Sequence, residues 1–168
     1  MSVDGTDFET MEPAPYVKRI NKKYFSHKFR GPGLRYEFGI CILTGECVWI
    51  NGPFLCGKKN DCTIFLEGMA NCLESFERVE GDDGYSDACP RYTKVPGSLV
   101  ARRERKEMAS AVRARHETFN KRLKQFASMR HVWHHDIKKH AIAVCAVAVV
   151  TQVILHYDKS LFQVEYNN

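Results

Sequence analysis

The stretch that most limits what this chain can become is a strand pair followed by a crossover. Residues 34–43 and 47–50 are apolar runs rich in strand formers, joined by Thr44-Gly45-Glu46, and they read as paired antiparallel strands. Upstream, residues 24–29 alternate aromatic with polar side chains until Gly31-Pro32-Gly33 breaks the run, which adds a third strand. Downstream, Asn51-Gly52-Pro53 and Gly57-Lys58-Lys59 read as a loop. It ends at Asn60-Asp61, which can cap a helix over about residues 62–73 with Ile64, Phe65, Met69 and Leu73 at helical spacing. Residues 76–79 then form a short strand that delivers Asp82 at its end. A strand, helix, strand order makes a parallel pair, and such sheets gather reactive groups at the carboxyl ends of their strands. The expected fold class is α/β: a mixed sheet of three antiparallel strands and then a parallel one, flanked by helices.

The second half of the chain changes period. Residues 86–98 carry Pro90, Pro96 and Gly97 and read as a loop with little regular structure. Over about residues 100–129 a basic helix follows, with Met108, Val112, Phe119, Leu123 and Phe126 as its buried stripe. On the same helix Arg113, Glu117, Asn120 and Lys124 share another face, roughly 120° from the stripe. A last helix over about residues 136–157 is apolar on nearly all sides and is expected to be central packing. Its apolar run, 141–155, falls short of the ~20 residues a membrane span needs, so no membrane partner is expected.

At 168 residues the chain fits one domain. Its formal charge of +5 is too mild to identify a polyanionic partner by itself. The seven cysteines are an odd number, no apolar signal segment precedes them, and none are spaced as a zinc knuckle. They read as mostly small buried residues of a protein kept in a reducing compartment. His131, His134, His135 and His140, with Trp133 and Asp136, read chiefly as a junction between helices; their spacing also permits metal chelation.

Candidate chemistry lies in three separated acids. Gly81-Asp82-Asp83-Gly84-Tyr85 taken alone is a solvated turn, and Glu117 taken alone is half of a surface pair with Lys121. Taken in order, Val3-Asp4-Gly5-Thr6, the Asp-x-Gly-Tyr pattern at Asp82 to Tyr85, and Arg113, Glu117 and Lys124 in an Arg-x3-Glu-x6-Lys pattern resemble the catalytic domain of DDE transposases. The likeness is nearest to PIF/Harbinger-type elements and related bacterial insertion sequences. It extends through Asn51-Gly52-Pro53, Asp61 before a helix, and Arg115-His116-Glu117 with Asn120, and it covers nearly the whole chain.

The resemblance implies a single RNase H-like domain over residues 1–168. Asp4 would stand on its first strand, Asp82 just after its fourth and Glu117 on a later helix. These acids would hold Mg²⁺ or Mn²⁺ for phosphodiester cleavage, with Asp82 rather than Asp83 as the ligand and Arg113 and Lys124 on phosphate. The implied protein is a metal-dependent DNA endonuclease derived from a transposase, intracellular and nuclear, with DNA as partner and a DNA-binding protein in trans as a further one. Two departures stand out. Only residues 1–3 precede Asp4, which implies a first strand cut to three residues and a missing DNA-binding region. The insertion-sequence pattern also has a Tyr where this chain has Ser110. Two other readings fit less of the chain. A haloacid-dehalogenase-like phosphatase needs an Asp where Thr6 stands, and a catalytically inactive DNA- or protein-binding module would use the acids for nothing.

Overall fold

The computed structural model describes residues 1–11, 21–96 and 103–166. Its strands are β1 (Ser2–Glu9), β2 (Phe25–Ser26), β3 (Gly31–Ile40), β4 (Cys47–Leu55), β5 (Val79–Glu80) and β6 (Thr93–Lys94). The helices are α1 (Asp61–Glu67), α2 (Arg103–Leu123), α3 (Ala127–Arg130) and α4 (Ile137–Tyr157). β3 lies between β1 and β4, antiparallel to both; β5 joins β1 in parallel at Ser2↔Glu80, and β6 is parallel to β5. The fold is α/β with a mixed, open and mainly antiparallel sheet.

Several expectations need correction. The first strand is not cut to three residues: it continues past Asp4 for eight residues in all, so the acid stands inside the strand, not at its end. Residues 24–29 supply only the two-residue β2. Asn51-Gly52-Pro53 is strand, not loop, because β4 is bonded on one side only and an edge strand tolerates a proline. The helix expected to reach residue 73 ends at Glu67. Gly68 takes a non-helical backbone there, and a 3₁₀ turn, Met69–Cys72, follows. Residues 86–96 hold little regular structure, as expected: the end of a 3₁₀ turn (Asp83–Ala88) and the two-residue β6. The basic helix stops at Leu123, so Phe126 falls beyond it and caps α3, while still packing against the core that holds Phe119 and Leu123.

Register assigns the two faces of the sheet. Asp4, Thr6 and Phe8 of β1 lie opposite Phe38, Tyr36 and Leu34 of β3 and share their side. On that side, Phe119 of α2 meets Phe38 edge to face at 5.9 Å, and Val144, Ala148 and Leu155 of α4 complete the main core. Val3 belongs to a second core on the opposite side, with Phe65 of α1, Met69, Val79, Tyr85 and Val95. α4 departs most from expectation. It is apolar but not central: Val144, Val147, Ala148, Thr151 and Leu155 are buried, while Ile142 (71 %), Val149 (64 %) and Tyr157 (82 %) face outward. By length and composition it is long and apolar enough to cross a membrane. The cysteines also differ from expectation, since only Cys56 and Cys62 are buried and Cys72 and Cys145 are exposed; all seven are free thiols.

Candidate functional site

The sequence-predicted acids meet at one cleft. Its lining is Ser2, Val3 and Asp4 of β1, Glu80 and Asp82 at the end of β5, and Arg113, His116 and Glu117 of α2. Polar contacts seat α2 across β1 in this position. The Asn120 side-chain amide donates to Asp4 Oδ2 at 2.8 Å, and a buried hydrogen bond of 2.9 Å joins Ser2 Oγ to His116 Nδ1. Burial pushes the His116 imidazole down to about 3, so it stays neutral. Next to His116, the Arg115 guanidinium donates to the carbonyl of Ile42 and ties the helix to the chain just past β3.

Each acid sits in a different environment. Asp4 is desolvated, and burial pushes its carboxyl up to about 6; Lys28 opposes that shift, while Asp82 and Asp61 add to it by repulsion. Asp82 caps the 3₁₀ turn, accepting from the backbone N–H of Gly84 at 2.9 Å, so this turn chemistry fixes its backbone where β5 ends. Asp83 begins the turn and is not among the cleft-lining residues. Glu117 lines the cleft but is largely solvated: its side chain is 66 % exposed and Oε2 lies 3.9 Å from Lys121 Nζ. In this conformation no three His, Cys, Asp or Glu side chains among the described residues stand close enough together to hold one ion.

Of the two basic residues, Arg113 lines the cleft and Lys124 does not. Lys124 lies one helical turn past Asn120, with Nζ 5.4 Å from the centre of the Phe8 ring. Burial lowers its pKa, repulsion from Lys28 adds to that, and Asp7 and Asp4 act in the other direction.

Behind Asp4, on the opposite sheet face, stands a polar cluster that supports the strand. Arg35 Nε and Nη2 donate to Asp7 Oδ1 and Oδ2 at 2.7 and 2.9 Å, and Arg35 Nη1 lies 3.2 Å from Asp61 Oδ1. A Cβ on Gly5 would lie 2.0 Å from that same Asp61 oxygen, so the residue after Asp4 must be glycine for the carboxylate to fit. Glu37, opposite Gly5, is 1 % exposed, accepts from Trp49 Nε1 at 2.9 Å, and is pushed up to about 7 by burial.

Three further side chains at or near the cleft are not marked out by the sequence motifs. Glu80 lines the cleft and accepts from Tyr166 Oη at 2.5 Å. Ser2 is the His116 partner, and Lys28 donates to the Gly5 carbonyl at 2.6 Å across the part of β1 beyond its pairing with β5. Only Glu80 carried a signal, as an acid two residues before Asp82. In the histidine-rich junction, Asp136 caps α4, Trp133 packs on His135 and His140, and buried His140 bonds to Tyr36 Oη at 2.8 Å. No family model, no curated protein and no solved structure matches this chain.

Proposed function

We propose that the protein is a metal-dependent endonuclease that cleaves DNA phosphodiester bonds, on an RNase H-like fold of DDE transposase type. One observation carries this reading: Asp4, Asp82 and Glu117, far apart in sequence, line a single cleft together with Arg113. Asp4 on the first strand and Glu117 on a later helix fit what the resemblance implies, whereas Asp82 follows β5, the fifth strand in chain order, where the resemblance implies the fourth.

The donor set suits a hard divalent cation such as Mg²⁺ or Mn²⁺. Asp82 adds by repulsion to the raised proton affinity of Asp4, the kind of carboxylate pairing that a divalent cation would relieve. Asp4 and Asp82 would hold the ion, and Glu117 would join by turning its solvated side chain away from Lys121. When bound, the ion would polarise the phosphoryl group and activate the attacking oxygen. The protein's own groups do the positioning. Asn120 fixes the orientation of the Asp4 carboxylate, the turn at Gly84 fixes Asp82, and Arg113 offers a planar fork to a phosphate oxygen.

A second reading is a non-catalytic DNA- or protein-binding module, favoured by the outward, Lys121-paired side chain of Glu117. Nicking of supercoiled plasmid with Mg²⁺ or Mn²⁺ separates the two. The cleavage reading expects wild-type activity that Asp82→Ala abolishes; activity equal in the two proteins, or none in either, overturns it. Hydrolysis of a small phosphate ester in place of plasmid would indicate a phosphatase.

A further inference from the structure

Two loops remote in sequence bring exposed lysines together near Gly33, opposite Glu9 at the end of β1 away from the cleft. The N–H of Gly57 donates to the carbonyl of Lys23 at 3.0 Å, and a Cβ at Gly57 would lie 1.8 Å from the carbonyl oxygen of Lys22. Only glycine allows the segment before α1 to approach the segment before β2 this closely, which places Lys58 beside Lys22 and Lys23. All three side chains are exposed, and among the described residues none forms an ion pair. Lys59 is different, because it pairs with Glu67 and lies over the Phe54 ring.

The cations continue toward the acids. Lys28, on the turn between β2 and β3, donates to the carbonyl of Gly5 at 2.6 Å, next to Asp4, and Lys124 Nζ stands 5.4 Å from the centre of the Phe8 ring of the same strand, so two ammonium groups from different elements flank β1 and repel each other. Such repulsion is relieved by an anion. A carboxylate-rich peptide following these lysines would end against the carboxylates of Asp4, Asp82 and Glu117, whereas a phosphodiester strand meets there the cation site of the cleavage reading.

We propose that Lys22, Lys23 and Lys58, continued by Lys28 and Lys124, form a track for the phosphate backbone of nucleic acid leading to the Asp4 cleft. The direction of the track and the choice of a phosphodiester strand as its occupant rest on the cleavage reading; the exposed lysines, unpaired among the described residues, do not. Lysines acting as point charges on phosphates carry no base preference, so this binding is independent of sequence and steep in salt.

The test is anisotropy of a labelled 20-base-pair duplex titrated with the full chain at several salt concentrations, in EDTA. Each lost phosphate contact lowers the slope of log affinity against log salt by about 0.9. Lys22→Gln/Lys23→Gln/Lys58→Gln is expected to lower it by about 2 to 3 and to weaken binding at least tenfold at low salt. Lys58→Gln alone is expected to lower it by about 0.9, which keeps the test open if the triple variant folds poorly. Lys138→Gln/Lys139→Gln, at the exposed start of α4, is expected to leave the slope unchanged. An unchanged slope in the triple variant, an equal loss in the α4 variant, or no duplex binding by the wild type overturns the proposal. Asp82→Ala is expected to bind with the wild-type slope. Track-dependent binding without plasmid nicking would sink the cleavage reading and leave the track standing.

Discussion

The two 21-residue helices, α2 and α4, invert what their compositions suggest. α2 is rich in charge, yet it places Val112, Phe119 and Leu123 in the protein interior along with the polar Arg115, His116 and Asn120. α4 is the more apolar helix and buries a single row, leaving Ile142, Val149, Val153 and Tyr157 in solvent. Burial is decided by where an element meets the sheet, and hydropathy only limits what can be buried there. α2 crosses β1 and β5 and is tied down by directional hydrogen bonds, which is what a site built from its side chains needs. α4 lies against β4 and touches the site nowhere.

Four substitutions would break or sharpen this contrast, the largest first. Phe119→Ala empties a wholly buried position against Phe38 and should cost about 3–5 kcal/mol in denaturant unfolding; a loss as small as that of a surface residue would show that α2 is not seated as described.

Asp4→Asn should stabilise the metal-free protein by about 2 kcal/mol at pH 7.5, after discounting for solvent screening, while abolishing nicking. The sign follows from the direction of the shift. A carboxyl raised from 3.8 to about 6 in the folded state favours folding while protonated, and that contribution is lost as pH rises through 6. The advantage of Asn should therefore fade as pH falls from 6 toward 3.8 and be absent below it. An advantage that persists at pH 3 would contradict the burial of Asp4.

Asn120→Ala should cost about 1–2 kcal/mol and, by removing a donor to the charged form of Asp4, move the acidic limb of the pH–activity profile to higher pH. A loss of stability with an unmoved profile would reduce Asn120 to packing alone. Smallest of all, Val149→Asp on α4 should change stability by no more than about 0.5 kcal/mol despite placing a charge on the most apolar helix. A large loss would show that this face is covered.

Much of this arrangement is written locally in the chain. The β3–β4 hairpin follows from strand formers around Thr44-Gly45-Glu46, where Gly45 takes a positive φ of 81°. The shared face of Arg113, Glu117 and Asn120 follows from helical spacing alone. What the chain does not show is set by tertiary contact. Pro53 marks a loop unless β4 is known to be an edge, and Ser2 is an ordinary strand residue until α2 brings His116 to it. In the same way, the glycine at position 5 gains its meaning only when Asp61 arrives from α1. The outward face of α4 was illegible for a related reason: an apolar helix has no sequence mark for the side that will lack a partner.

The central claim is that Asp4 and Asp82, not Asp83, make one cation site in the α2–β1 cleft. Titration with Mn²⁺, following the free ion by electron paramagnetic resonance, tests it without relying on turnover. Wild type and Asp83→Asn should bind alike, and either Asp4→Asn or Asp82→Asn should weaken binding at least tenfold. Binding that survives Asp4→Asn, or that is lost equally in Asp83→Asn, would contradict the claim.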